Sequence, residues 1–189
     1  MSVNRGQIAE PVWVPGSRVV RSKVPAGVLN WLLDQASLTR RLQTVCSGEF
    51  RVHVISQAWS RPMMNEAKAL RLSPGKFALV RQVELLCGDV PFVYARTVIP
   101  RKTLSGSLRR LAHLQSRSLG ATLFALPGMR RGEVEIANLR GSSRVHRLLS
   151  ERGIILPPSV WARRSVFHVY DKPLLVSEVF LPAMEELHF

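Results

Sequence analysis

The stretch FALVRQVELLCGDVPFVYARTVI (77–99) decides the fold. Two apolar runs, 77–87 and 90–99, flank Gly88-Asp89. Glycine first in a two-residue connection suits a type II′ turn, so the runs read as an antiparallel hairpin. Side chains alternate faces along a strand. On the first run Phe77, Leu79, Arg81, Val83, Leu85 and Cys87 share a face, and Arg81 is its lone charge. On the second, Phe92, Tyr94, Arg96 and Val98 share a face. A two-residue turn pairs Cys87 with Val90 and predicts that Arg81 stands opposite Arg96, where like charges repel. Burying both cations unpaired costs several kcal/mol each, so a negative group is expected nearby.

Working outward, RRSVFHVY (163–170) and PLLVSEVFLP (173–182) form a second hairpin around Asp171-Lys172. Here Leu174, Val176, Glu178 and Phe180 share a face, with Glu178 as its only charge. Two readings of the three charges are open. One is a buried Arg–Glu–Arg network with no ligand. The other is a polar pocket in an apolar sheet, where Arg81 grips a carboxylate through its fork and Glu178 binds a hydroxyl.

The rest of the chain supplies two further strands, EFRVHVISQAW (49–59) and GEVEIANL (132–139). Helices are predicted over 25–34, over 37–45 with Ser37 as cap, over 103–114 with a break near Gly106, and over 118–126 with Ser116 or Ser118 as cap. Residues 61–76 are mixed in character. The whole reads as an α+β fold built on a single, mostly antiparallel β-sheet of about six strands. Residues 1–24 read as an N-terminal arm and 25–189 as one domain. Within it, 140–160 reads as a surface insertion, Arg-rich at its start.

The composition narrows the function. A length of 189 residues with 46% hydrophobic and 21% charged residues fits one globular domain. No apolar run is long enough to span a bilayer, and the N-terminus lacks a signal-peptide layout. Two cysteines, Cys46 and Cys87, without a CxxC, exclude a structural zinc site and a disulfide scaffold and point to the cytoplasm. The five histidines show no metal-ligand spacing, and there is no dinucleotide fingerprint or phosphate loop. No metal and no cofactor are therefore expected. The charge is the oddity: 27 Lys plus Arg against 13 Asp plus Glu, a net of +14. Such a balance suits nucleic acid, an anionic membrane surface or a small anionic substrate.

Four segments carry a family resemblance: WLLDQASLTRRL (31–42), VRQVELLCGDVPFVYARTVIPRKTLSG (80–106), SLGATLFA (118–125) and WARRSVFHVYDKPLLVSEVFLPA (161–183). Together they cover a little under half of the chain, and they resemble the chorismate pyruvate-lyases. The resemblance implies one antiparallel sheet with helices packed on one side, enclosing a small ligand. It implies a cofactor-free lyase that converts chorismate to 4-hydroxybenzoate and pyruvate, the first committed step of ubiquinone biosynthesis. It places the family's carboxylate-binding arginine on Arg81 and the glutamate that meets the ring hydroxyl on Glu178. It places pocket-lining backbone on Leu119 and on Leu38, where the family has methionine. Arg96 also matches a family arginine and is assigned a second-tier place near the enolpyruvyl carboxylate or the product's exit.

In that setting the enzyme acts by positioning the enolpyruvyl arm over the C4 hydrogen, by intramolecular hydrogen transfer or by Glu-assisted elimination. Slow product release and product inhibition are expected, with flaps from 30–45 and 115–125 opening to let the ring out. Two other readings compete. A non-catalytic module binding small aromatic acids, akin to effector domains of transcription regulators, is one, but no DNA-binding helix-turn-helix precedes the fold. A nucleic-acid binder is the other, but the aromatics form no stacking platform. The expected partners are chorismate and 4-hydroxybenzoate, with no specific nucleic acid and no obligate protein partner; the basic face admits a weak contact with anionic membrane.

Overall fold

The computed structural model describes residues 10–187. Among these, the strands are β1 (Val14–Pro15), β2 (Phe50–Ser60), β3 (Ala78–Cys87), β4 (Val90–Pro100), β5 (Met129–Arg131), β6 (Glu135–Arg140), β7 (Ser159–Val169) and β8 (Lys172–Phe180). The helices are α1 (Ala26–Leu33), α2 (Leu38–Val45), α3 (Met64–Ala69), α4 (Leu119–Phe124) and α5 (Arg144–Glu151), with a 3-10 helix over Gly106–His113. All strand pairs are antiparallel, in the order β1-β6-β7-β8-β4-β3-β2, with β5 added against β7. The α+β sheet thus has eight strands where about six were expected. The extra two, β1 and β5, are two and three residues long, too short for a periodic signal.

The hairpin between β3 and β4 forms as predicted, with Gly88 at φ +59° in the turn. Its register shifts soon after. Leu85 pairs with Val93 but Leu86 with Pro91, so Phe92 is an extra residue in a β-bulge. Pro91 has no N–H for the ladder, and a bulge tolerates that. Beyond it Arg81 pairs with Thr97, and Arg96 with Gln82. The expected Arg81–Arg96 opposition is therefore overturned, and the two arginines project from opposite faces. The second hairpin turns one residue earlier than expected, at Tyr170-Asp171, whose φ values of +50° and +59° make a type I′ turn.

The larger helical layer covers one face in two apolar clusters. Val28, Trp31, Leu32, Leu38 and Leu42 of α1 and α2 pack on Val83, Leu85, Val93 and Phe180. Leu108, Leu111, Leu119 and Leu123 pack on Leu79, Ile99, Phe167 and Leu174. Helices were expected on one side of the sheet; α3 and α5 add cover to the other. Leu70, just past α3, packs on Val80, Val98 and Leu175, while Val145 and Leu149 of α5 pack on Tyr94, Leu139 and Val179. So the Arg-rich 140–160 segment contains an amphipathic helix with a buried stripe and a side-chain cap from Ser143. The arm also docks: Glu10 accepts hydrogen bonds from the Met64 and Asn65 amides at the start of α3, each 2.8 Å.

Cys46 and Cys87 form a disulfide with Cα atoms 5.6 Å apart, tying the end of α2 to the end of β3. Two cysteines exclude a scaffold of several crosslinks but not a single bridge, so their number is no argument for a reducing compartment. Closing a loop over a separation of 41 residues restricts the unfolded chain by about 4 kcal/mol at room temperature. At about 2–4 °C per kcal/mol for a chain of this size, adding a thiol reductant should lower the thermal unfolding midpoint by roughly 8–16 °C, and a Cys46→Ser/Cys87→Ser variant should reproduce that value and lose the reductant effect. An unfolding midpoint indifferent to reductant would show that the bridge contributes no stability.

Candidate active site

The two apolar clusters leave a strip between them. Down β3 the helix-covered face reads Leu79, Arg81, Val83, Leu85, and down β8 it reads Leu174, Val176, Glu178, Phe180. Thr97 pairs with Arg81 on one side and Val176 on the other, while Ala95 pairs with Glu178. On β7, Arg163 pairs with Glu178 and Ser165 with Val176. A polar belt of Arg81, Thr97, Glu178, Arg163 and Ser165 therefore crosses the sheet between greasy flanks. Arg81 and Glu178 lie two strands and two residues apart, about 12 Å between Cα atoms at standard sheet spacing.

The belt is dry. Arg81 is 3% exposed and Arg163 1%, and the Glu178 side chain keeps 16%. Arg81 donates to Gln57 Oε1 (3.2 Å), to the Gln115 carbonyl (2.6 Å) and to the Arg117 carbonyl (3.3 Å). All three acceptors are neutral, and among the described residues no carboxylate lies within ion-pair distance of it. Burial pushes its pKa down, which means the charge sits there without full compensation.

Glu178 has a partner that sequence reasoning missed. Arg163 Nε donates to Glu178 Oε2 at 2.6 Å, and Arg163 Nη1 donates to the carbonyls of Trp31 (2.6 Å) and Asp34 (2.7 Å). Arg131 reaches the same corner from β5. Its Nε donates to Ser165 Oγ (3.0 Å) and its Nη1 to the Asp34 (3.2 Å) and Gln35 (3.0 Å) carbonyls. Burial first, and then the neighbouring Arg163 charge, push the Arg131 pKa down to about 10. Arg81, Arg131 and Arg163 thus stand around the Glu178 carboxylate, and the Asp34 carboxylate, held by Arg41, also acts on Arg131 and Arg163.

Above the belt α2 and α4 meet. Leu38 and Leu119, both buried, are the first residues of these helices, each behind a serine whose side chain caps the helix. First-turn amides have no partner within their own helix. Thr39 Oγ1 and Ser118 Oγ are 2.7 Å apart and join the two helices. Gly120 permits the approach, since a Cβ there would lie 3.2 Å from Thr39 Oγ1. An open hollow of about 680 Å³ between α2, β2 and α4, bounded by Gln43, Val52, Arg117 and Thr122, leads from solvent to this seam.

The structure thus brings Arg81 and Glu178 onto one covered face, with Leu38 and Leu119 above it. It does not bring Arg96 there. Arg96 turns to the opposite face, where it makes a bidentate pair with Glu66 at 2.7 and 3.1 Å. Its second-tier assignment, near the enolpyruvyl carboxylate or the product's exit, is corrected to this extent: Arg96 faces away from Arg81 and Glu178, the bulge at Phe92 being the cause. Arg163 carried a usable signal, as the lone charge in the row Trp161, Arg163, Ser165, Phe167. Arg131 carried none, because β5 is too short to show alternation. Among the described residues no cluster of His, Cys, Asp and Glu is arranged to hold a metal.

With this geometry in hand, comparison with known proteins is informative. A family model described as chorismate lyase matches residues 9–186. A protein of Halorhodospira halophila named "Probable chorismate pyruvate-lyase" is 41% identical over 170 residues, covering 90% of this chain and 89% of that protein. One of the same name from Methylococcus capsulatus is 43% identical over 155 residues, covering 82% and 94%. Among solved structures, the effector domain of PhnF from Mycobacterium smegmatis superposes with a TM-score of 0.53 at 14% identity, covering 80% of this chain and 91% of that one. A GntR-family transcriptional regulator from Bacillus cereus gives 0.53 at 16%, covering 75% and 96%. These last two likenesses concern the fold alone.

Proposed function

The chain belongs to the chorismate lyase family, and from that premise we propose that it cleaves chorismate to 4-hydroxybenzoate and pyruvate, supplying the ring for ubiquinone, with Arg81 and Glu178 at opposite ends of the substrate. The observation that carries this reading is the buried, carboxylate-free Arg81 on the same covered face as Glu178. A desolvated guanidinium with neutral partners attracts an anion of matching shape, and a ring carboxylate offers two oxygens to its fork. Glu178, held by Arg163, accepts a hydrogen bond from the 4-hydroxyl. The first-turn amides of Leu38 and Leu119 contribute donors from above.

In the reaction the C3–O bond breaks, the C4 hydrogen is lost, and the ring becomes aromatic. The enolpyruvyl fragment gains hydrogen at its methylene and leaves as pyruvate. The chain's residues bind the two ends, exclude water and hold the arm over the ring. Chorismate is a dianion, and a site with more guanidiniums than carboxylates suits it. With Arg96 on the far face, Arg131 is the group that answers the enolpyruvyl carboxylate. The cytoplasmic setting remains part of this proposal; no helix among the described residues is long and apolar enough to cross a membrane.

The test is pyruvate release from chorismate by the purified protein, which also separates catalysis from a merely ligand-binding module: binding of 4-hydroxybenzoate without pyruvate would leave only the latter. Arg131→Met gives a sharper check on the second carboxylate. The product lacks that group, so KM for chorismate should rise about tenfold or more while Kd for 4-hydroxybenzoate stays near the wild-type value. Equal losses for both ligands would remove Arg131 from substrate recognition.

A further inference from the structure

Part of the charge excess lies at one end of the sheet, away from the belt. There β2 ends, β3 begins and β4 ends, with Trp59 paired to Leu79, and Ala78 flanked by Ser60 and Pro100. Two aromatic side chains stand in solvent at this end, Trp59 at 48% exposure and Phe77 at 53%. Five exposed cations surround them: Arg61, Arg71, Lys76, Arg101 and Lys102. Arg61 lies over the Phe77 ring at 5.6 Å and Arg101 over the Trp59 ring at 5.8 Å. A shallow hollow of about 540 Å³ opens beside them, bounded by Leu72, Lys76, Phe77 and Arg101.

Acidic residues do not balance this surface. From residue 50 to residue 132 the chain holds only Glu66, Glu84 and Asp89. Glu66 and Glu84 are buried, and Asp89 lies in the turn at the other end of β3, bonded to Arg51. Asp171, in the β7–β8 turn, is bonded to Arg130. The patch therefore presents unneutralised guanidinium and ammonium groups around two exposed rings.

We infer that this end of the sheet docks reversibly on an anionic phospholipid bilayer. Amphipathic rings and long cationic stems are the side chains that settle at the headgroup level, with rings facing the acyl boundary and charges reaching phosphate. A single-stranded nucleic acid asks for something else, open ring faces on which bases stack. Here guanidiniums already lie over both rings, which favours the lipid surface. Neither ring lines the hollow that opens at the α2–α4 seam, so a docked protein keeps that hollow accessible.

The test is co-sedimentation with vesicles of phosphatidylcholine alone and of phosphatidylcholine with about 30% phosphatidylglycerol, a negatively charged surface. The full-length protein should bind the anionic vesicles and not the neutral ones, and binding should weaken as salt is raised. Arg101→Glu/Lys102→Glu should lower binding about 25-fold or more, taking about fivefold for each cation removed. Trp59→Ser/Phe77→Ser leaves the net charge unchanged, yet should lower binding about tenfold or more, because the rings contribute apolar burial. Both variants change exposed residues, so their unfolding midpoints should match wild type. An unaltered affinity in the aromatic variant would mean charge adsorption without docking and overturn the proposal. So would no binding to anionic vesicles, or displacement from them by an equal charge of single-stranded RNA.

Discussion

Arg81→Ala should lower kcat/KM for chorismate on the order of a thousandfold and abolish measurable binding of 4-hydroxybenzoate. Truncating one partner of a buried charged pair costs about 3–5 kcal/mol, and here the other partner would be the substrate's own carboxylate. The fold should not suffer in proportion. In the free protein Arg81 bonds only to neutral acceptors, and burial disfavours its charge. Removing it deletes a desolvated cation but leaves the Gln115 and Arg117 carbonyls without their donor, so the unfolding midpoint should fall only modestly even as activity vanishes. Arg81→Lys keeps the charge but not the fork and should recover only a small part of the rate. Wild-type turnover in Arg81→Ala would dismiss the proposed anchor outright.

Glu178→Gln should behave in the opposite way on stability. Its carboxylate is 2.6 Å from Arg163, which is itself 1% exposed. Neutralising it leaves a buried cation without its counter-charge, a loss of about 3–5 kcal/mol. Turnover should fall about a hundredfold, and the unfolding midpoint should drop with it. The two effects are separable. Adding Arg163→Met to Glu178→Gln removes the orphaned charge and should restore part of the midpoint, the remainder reflecting the Trp31 and Asp34 carbonyls that lose their donor. Activity should stay low in the double variant. Recovery of turnover along with stability would mean that Glu178 matters only to folding.

Much of this architecture could be read from local pattern. Arg81 and Glu178 stood out because each is the only charge on an otherwise apolar row, and both rows are covered. Ser37 and Ser118 announced the helices that close over them. What failed depended on information that alternation does not carry. Arg96 was placed beside Arg81 by counting back from the turn, and one bulged residue invalidates such counting. Arg163 and Arg131 join the site because β7 lies beside β8 and β5 beside β7, and strand order is a property of the whole sheet. Cys46 and Cys87 meet across a separation of 41 residues through the packing of α2 on the sheet, which no local spacing encodes.

The extra residue at Phe92 has a consequence for how this chain tolerates insertion and deletion. Downstream of it, Tyr94, Arg96 and Val98 look one way, and Ala95, Thr97 and Ile99 the other. Excising Phe92 itself would only remove the bulge, because Val93 would still meet Leu85; inserting one residue just past Val93 would invert the rest of the strand. Tyr94 and Arg96 would be driven among the leucines beneath the flaps, and Glu66 would be left behind without its guanidinium. The spacing beyond Val93 therefore acts as a frame, and a lineage can vary the side chains there far more freely than it can vary their number.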